Sequence, residues 1–313
     1  MTAHEGSFRD LRVLVPFVLI TLVWGSTWIV IKDQLGGGDA SAVPLTWSVA
    51  YRFAIACAAM FAYALATGAS LRIGWKGHVL AATFGVPQFV LNFNFVYAAE
   101  HYVTSGLVAV VFALLMVPNS ALAWLFLKDR VTGRFVAGSA LACAGVALLF
   151  VQEIRASPVS AADAVTGIGL ALLAVISASA ANIMQASARL RARPIASMLA
   201  WGMFYAVIVN ALFAFAWFGP PVVEDRPGYW IGLAYLGLFA SAAAFTLYFG
   251  IVRAVGPGKA AYSSLIVPVI AMAISTVAEG YRWSLLALAG GVLALIGMLI
   301  ALTASRLTDP PID

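Results

Sequence analysis

Apolar segments long enough to cross a lipid bilayer recur along the whole chain. A membrane-spanning helix needs about 20 consecutive, mainly apolar residues. By that rule the sequence predicts ten spanning helices, over residues 12–34, 44–66, 78–99, 103–127, 132–151, 165–187, 195–217, 229–252, 259–280 and 283–304. Of all residues 63% are hydrophobic and 10% are charged, whereas soluble domains have about 45–50% apolar and about 25% charged residues. We therefore predict an all-α integral membrane protein.

Polar and basic residues mark two boundaries of the predicted helices. The third and fourth segments are separated only by the polar residues Glu100, His101 and Tyr102, which we interpret as a connection. The first segment follows Arg9 and Arg12 and continues well past the length of a signal-peptide core, without a small-residue cleavage site. It is therefore predicted to be a retained first helix.

Basic residues are distributed unequally between the two sides of the predicted bundle. The side with few contains only Arg155, Arg226 and Arg282. Because basic loops remain in the cytoplasm, both termini are predicted to be cytoplasmic, in a multi-pass protein of the inner (plasma) membrane. The net charge of +5 then belongs to loops, and no nucleic-acid partner is expected. The basic side contains Arg9, Arg12, Arg72, Lys76, Lys128, Arg130, Arg134, Arg189, Arg191, Arg193, Arg253, Lys259 and Arg306.

A pattern of proline, acidic residue and paired glycines occurs twice. Pro118 lies eleven residues before Asp129, and Pro268 lies eleven before Glu279. Each acidic residue is followed by an apolar run with two glycines seven apart, which are Gly138 and Gly145 in the first copy and Gly290 and Gly297 in the second. Such self-similarity at a fixed offset indicates an internal duplication.

Five predicted helices fall in each copy, so we divide the chain into residues 1–156 and 157–313. An odd number of crossings reverses the orientation of the second copy, and the two halves are therefore predicted to be inverted repeats. Inverted repeats are the architecture of carriers that work by alternating access, with a substrate site near the middle of the membrane. By this analogy the chain is a transporter.

The residues of several helices resemble a known family. The first helix reads Trp24-Gly25-Ser26-Thr27-Trp28, the second contains Tyr51-Arg52-Phe53, and the fourth contains Pro118 and ends at Lys128-Asp129-Arg130. Together these resemble the drug/metabolite transporter (DMT) superfamily, EamA type, and most closely its YddG-type amino-acid exporters. The resemblance implies ten helices and export of aromatic and other neutral amino acids. Asp129 departs from the family, which more often has glutamate there, and the second half lacks the tryptophan–glycine signature.

Amide side chains within the predicted helices are candidates for substrate binding. Gln88 and Asn92 are four residues apart and share a helix face, with Asn94 off that face, and Asn182 and Gln185 share a face three residues apart. A cavity lined by these amides would offer hydrogen bonds to an ammonium and a carboxylate group. The alternative is that they bond helices to one another, a common role of Asn and Gln in membranes.

Aromatic side chains are the second set of candidates. Trp24 and Trp28 are four apart, Phe245 and Tyr248 are three apart, and Tyr97 corresponds to Tyr248 in the repeat. Rings facing a cavity would form an apolar platform for amino-acid side chains. The alternative is that these rings face lipid. Among the basic residues within helices, we expect Arg52 to have a structural partner. Lys32 is expected to extend towards Asp33 or, alternatively, to attract an anionic carboxylate at the outer end of its helix.

Three of the prolines within predicted helices are candidate kink sites, and several common enzyme motifs are missing from the sequence. Pro87, Pro118 and Pro268 are predicted to kink their helices and to act in gating. The sequence has no phosphate-binding loop of the G-x-x-x-x-G-K-[ST] type and no H-E-x-x-H motif, so neither ATP, a metal nor another cofactor is expected. Acidic residues fall at predicted helix ends, and no membrane-embedded proton relay is apparent. Facilitated diffusion, or a coupling that the sequence does not reveal, is therefore expected.

These observations give one hypothesis and two alternatives. The hypothesis is a secondary carrier that exports neutral and aromatic amino acids, with helices 1, 3, 4, 6, 8 and 9 lining the site as the resemblance implies. Small-molecule substrates, namely amino acids, and the lipid bilayer would be its partners, and the oligomeric state is left open. Export of other amphiphilic metabolites or drugs is the first alternative. An intramembrane enzyme or lipid-binding scaffold is the second, and it requires a buried catalytic cluster that the sequence does not show.

Overall fold

All regular secondary structure in the described part of the protein is helical. The structure is a computed structural model and describes residues 10–36, 43–127, 132–156, 160–255 and 263–305. The charged segment Lys128-Asp129-Arg130, which contains the acidic residue of the first repeat, lies outside the described residues.

Five helices form the first half of the described chain. Two of them contain a short π-helical stretch, in which the turns are wider. The helices are α1 (Leu11–Gln34), α2 (Leu45–Ala66), α3 (Gly74–Gly85, π-helical Val86–Leu91 and Asn92–Tyr102), α4 (Ser105–Ala113, Met116–Leu122 and π-helical Ala123–Leu127) and α5 (Gly133–Ala156).

The second half repeats this order. Its interrupted helix α8 corresponds to α3, and a four-residue helix, Ala188–Arg191, precedes α7. The main helices are α6 (Ala161–Ala186), α7 (Ile195–Phe218), α8 (Pro227–Ala234, π-helical Tyr235–Ala243 and Ala244–Val255), α9 (Ser263–Ala278) and α10 (Leu285–Ser305).

The predicted ten crossings are confirmed. Within the described residues, eight helices are long and apolar enough to span a membrane, and α9 and α10 supply two shorter apolar helices. Their outward surfaces are apolar, with side chains such as Leu212, Phe215 and Ile231 at least 60% exposed. Lipid is the solvent that makes such a surface stable.

The boundary between α3 and α4 differs from the prediction. Glu100, His101 and Tyr102 were predicted to connect two helices, but they form the last turn of α3. The Lys32 Nζ atom of α1 donates hydrogen bonds to the carbonyl oxygens of Glu100 and Val103. This ammonium group satisfies carbonyls that a helix end leaves free, so the polar triplet remains helical and the break comes at Val103 and Thr104.

Contacts between helices follow the order of the repeat. Corresponding helices pack directly in three pairs, which are α2 with α7, α4 with α9, and α5 with α10. In addition, α1 packs against α8 and α9, and its counterpart α6 packs against α3 and α4. Each of these contacts therefore has a counterpart of the same kind.

The α5–α10 pair has the closest backbone approach of these contacts, and glycines make it possible. A Cβ atom at Gly297 would lie 2.3 Å from the Ala142 nitrogen, and one at Gly145 would lie 2.3 Å from the Ala294 nitrogen. Gly138 faces Gly297, and Gly145 faces Gly290. Because the numbering rises along one helix and falls along the other, the two corresponding helices run antiparallel.

We predict that Gly297→Ala lowers the free energy of unfolding by about 2 kcal/mol, because the new methyl group has to push two backbones apart. Gly291→Ala, on the same helix, is the matched control, since its Cβ would meet only a Trp283 ring atom, at 4.0 Å. Thermal unfolding of both variants in the same detergent measures the difference. Equal unfolding temperatures would show that the glycines are not required for close packing.

Candidate functional site

Aromatic side chains from α1, α3 and α8 meet between the two halves. The Trp24 ring centroid lies 5.7 Å from that of Phe245 and 5.2 Å from that of Tyr248. The Phe245 ring is in turn 5.5 Å from the ring of Phe89. The four residues Trp24, Phe89, Phe245 and Tyr248 are called the aromatic cluster below. Trp28 lies outside it, buried against Phe112 at 5.3 Å.

The π-helical stretches of α3 and α8 position this cluster. A π-helical turn leaves carbonyl oxygens displaced from the regular ladder, and such stretches recur at functional sites. The Asn210 Nδ2 atom of α7 donates to the Phe89 carbonyl at 3.3 Å, and the Trp24 Nε1 atom of α1 donates to the Ala240 carbonyl at 3.2 Å. Each half therefore donates a hydrogen bond to the irregular stretch of the other half.

Gln88 and Asn92 have free hydrogen-bonding groups beside the cluster. Both side chains are buried, and the Asn92 Nδ2 atom donates to the Gln88 carbonyl oxygen at 3.3 Å. Among the described residues, no partner donates a hydrogen bond to Gln88 Oε1 or Asn92 Oδ1. A buried acceptor without a partner is costly, so these two oxygens are suited to receive hydrogen bonds from a ligand such as an ammonium group.

The other amides make contacts between helices. The Asn94 Nδ2 atom donates to Asn210 Oδ1 at 2.7 Å and to the Val90 carbonyl at 2.9 Å, and so joins α3 to α7. The Asn182 Nδ2 atom lies 3.5 Å from Asn119 Oδ1 of α4. Within the described part of the chain, Gln185 Nε2 has no partner. The geometry of Asn94 agrees with the alternative in which amides bond helices together, and the roles of all three stay predictions.

Tyr97 lies apart from the aromatic cluster, although it corresponds to Tyr248 in the repeat. Its hydroxyl group donates to Gln34 Oε1 at 2.8 Å, and both side chains are fully buried. Tyr248 instead contacts Trp24. Tyr97 therefore belongs with Gln34 to a buried polar region near the end of α1 and not to the aromatic cluster.

Arg52 belongs to this polar region and was assigned only a structural partner from the sequence. Its side chain is 2% exposed, its Nε atom donates to Ser241 Oγ at 3.0 Å, and its guanidinium carbon lies 4.3 Å from the Phe93 ring centroid. Arg52 thus joins α2 to the π-helical stretch of α8. The sequence signal for this role of Arg52 was a single charged residue within an apolar segment.

Two other charged residues differ from their expected positions. Lys32 was expected beside Asp33, but it extends to the end of α3, and Asp33 lies instead 3.9 Å from Arg226. Glu100 is at a helix end, as predicted, yet it is fully buried. Its position at a helix end did not indicate this burial, which arises because α3 ends inside the packed region.

The three predicted kink residues occupy different local structures. Pro87 lies within the π-helical stretch of α3, and Pro118 follows the break at Leu114 and Leu115 in α4. Pro268 lies inside α9 without a break in the assigned helix. Their part in gating stays a prediction. The described residues include no group of histidine, cysteine or acidic side chains suited to hold a metal ion.

Comparisons with known proteins agree with this geometry. The sequence profile of the EamA-like transporter family matches the chain twice, over residues 12–151 and 165–303. Protein PagO of Salmonella typhimurium is 23% identical over 301 residues, which cover 96% of this chain and 95% of PagO. One crystal structure has the same fold, with a TM-score of 0.67 and 23% identity, and the match covers 95% of this chain and 99% of that one.

We predict that the Asn94–Asn210 hydrogen bond contributes about 1 kcal/mol to stability, a typical value for a side-chain bond between membrane helices. Asn94→Ala, Asn210→Ala and the double variant should form a double-mutant cycle in which the second substitution costs less than the first. Gln88→Ala is the control without a side-chain partner to lose. Additive losses in unfolding free energy would show that the two amides do not stabilise each other.

Proposed function

Because this chain belongs to the EamA-like transporter family, we propose that it is a secondary carrier that exports neutral and aromatic amino acids by alternating access. The family consists of transporters, so the protein is a multi-pass membrane protein and not an enzyme. Membership of this family also places the chain in the drug/metabolite transporter superfamily. The likeness to YddG-type exporters is the finer part of the proposal.

One observation supports the substrate class most directly. The unpartnered oxygens Gln88 Oε1 and Asn92 Oδ1 are on the same stretch of α3 as Phe89, whose ring is part of the aromatic cluster. Amide oxygens suit the ammonium group of an amino acid, and neighbouring rings suit an apolar or aromatic side chain. A site with both features fits a neutral amino acid.

The arrangement of the halves supports alternating access. We propose that residues 1–156 and 157–313 are inverted repeats, since the corresponding helices α5 and α10 run antiparallel and the contacts between the halves occur in matching pairs. Two such halves can rock about a shared site. The distribution of basic residues supports the proposed orientation. Both termini would lie in the cytoplasm, and the membrane would be the inner (plasma) membrane.

Export of other amphiphilic metabolites or drugs is the second candidate. The aromatic cluster favours it, because stacked rings accept many apolar shapes. Overexpression should then confer resistance to a panel of toxic hydrophobic compounds. Resistance confined to toxic amino-acid analogues would instead support the first proposal.

We expect proteoliposomes with the protein to release radiolabelled phenylalanine or threonine, and Gln88→Ala and Asn92→Ala to slow release about tenfold, the value of one lost hydrogen bond to a charged group. Membrane protein levels should remain near those of the parent. If no amino acid shows protein-dependent flux, the substrate proposal is wrong. If transport and protein level fall in step, the two amides only stabilise the fold.

We expect the two ends of the bundle to face opposite compartments, with Arg72 inside and Asp225 outside. Both side chains are exposed, so cysteines at these positions can be labelled in a background in which the exposed native Cys143 is replaced by serine, while the native Cys57 is buried. A membrane-impermeant maleimide added to intact cells should label Asp225→Cys and not Arg72→Cys. The reverse pattern would overturn the proposed orientation.

A further inference from the structure

A buried acid lies where helices of the two halves meet. Glu100 is 0% exposed, and no described residue donates a hydrogen bond to either of its carboxylate oxygens. It belongs to α3, whose last turn receives Lys32 from α1. No step of the proposed amino-acid site uses this carboxyl group.

Several neighbouring helices place charged or titratable groups near Glu100. Lys32 of α1, Arg52 of α2 and Glu279 of α9 are within electrostatic range, as is Tyr97 of α3 itself. The described part of α4 has no charged side chain, and the acid of α6, Asp163, instead accepts a hydrogen bond from Ser160 at 2.8 Å.

Each neighbouring group has at least one partner other than Glu100. Lys32 donates to two backbone carbonyls, and Arg52 donates from Nε to Ser241 and lies over Phe93, while Arg52 Nη1 has no partner among the described residues. Glu279 accepts hydrogen bonds from the backbone nitrogen of Ser105, at 3.2 Å, and from its hydroxyl group. Lys32 and Arg52 favour a charged carboxylate at Glu100 and Glu279 opposes it, but none of the three donates a hydrogen bond to it.

An ionised carboxylate without hydrogen bonds is one of the most expensive groups to bury in a membrane protein. A substrate ammonium group cannot relieve that cost in this conformation, because the enclosed carboxyl group leaves no accessible surface for it. A proton needs no such space. Protonation therefore suits the enclosed conformation, and ionisation suits any conformation in which water reaches the side chain.

We propose that Glu100 binds and releases one proton in each transport cycle and thereby couples export to a proton gradient. A hydronium ion from one compartment transfers its proton to a Glu100 carboxylate oxygen, which forms the carboxylic acid and leaves water. The acid later returns the proton to water on the opposite side, and no other bond changes. This inference rests on the carrier function proposed above.

Because Glu100 lies between the halves, their relative movement during transport would change the groups and the water around it. Lys32, Arg52 and Tyr97 belong to the first half of the chain and Glu279 to the second, and Glu279 is bonded across the α4–α9 contact to Ser105. Movement of one half against the other changes the distance from Glu100 to Glu279 and the access of water. A change in that environment is what shifts a proton-binding equilibrium.

A pH gradient across proteoliposomes tests the coupling. In the parent protein the gradient should drive accumulation of the labelled amino acid, and substrate addition should cause a proton flux seen by an entrapped pH dye. Glu100→Gln should lose both effects while retaining exchange of labelled for unlabelled substrate. Glu100→Asp should keep part of the pH dependence, and Asp163→Asn is the matched acid-to-amide control that should behave like the parent.

Two transport results would overturn the proposal. One is parent transport that does not respond to the gradient, and the other is an equally strong response in Glu100→Gln. Infrared spectroscopy of the purified protein provides a readout that needs no substrate. It should show a carboxylic-acid carbonyl band that is missing in Glu100→Gln and disappears as pH rises, and its absence at every pH would also overturn the proposal. If the band is present but no amino acid is transported, the substrate proposal fails and the protonation of Glu100 stands.

Discussion

The two halves are joined through hydrogen bonds to the places where their helices are irregular. Inside a bilayer no water is available to a displaced carbonyl group, so each irregular stretch needs a donor from the protein. Asn210 supplies one to Phe89 in α3, and Trp24 supplies one to Ala240 in α8. The π-helical stretches are thus tolerated because the opposite half covers them. The same stretches place Gln88 and the aromatic cluster between the halves.

A second region holds the halves together by different means. At the α5–α10 contact, glycines allow the backbones to touch, and dispersion between closely packed atoms replaces hydrogen bonding. Such a contact tolerates little change in distance. The region around α3 and α8 has larger side chains and unpartnered polar atoms. The molecule therefore combines a tightly packed helix pair with an interior that can accept a ligand.

Sequence periodicity accounts for the general fold and for little of the site. The ten spans followed from hydrophobicity, which is a local signal. The paired glycines indicated a duplication, and only the structure shows that they form the α5–α10 contact. The π-helical stretches could not be predicted from the sequence, since Val86–Leu91 has no composition that distinguishes it from a regular helix. Asn210 was missed because a single asparagine in an apolar segment does not reveal which helix it faces.

Glu100 shows why position in the sequence is a poor guide to depth in the structure. It directly follows the predicted apolar segment 78–99, where a helix usually reaches water, and its two polar neighbours strengthened that interpretation. Its burial depends on Lys32 from another helix, which holds the end of α3 within the bundle. Interactions between distant segments of this kind are invisible to a reading of one segment at a time.

Helix α3 also relates the two proposed sites to each other. Gln88 and Glu100 are twelve residues apart on it, which corresponds to about 18 Å along a helix axis. A substrate at the amides and a proton on Glu100 therefore do not compete for the same atoms. Any coupling between them has to pass through α3 and the helices that it contacts. The π-helical stretch lies at the substrate end of that path, and a change of one residue in its register would turn the rest of the helix by about 100°. Such a rotation would move Tyr97 and Glu100 relative to Gln34 and Lys32, so the geometry of one helix is sufficient to connect the two sites.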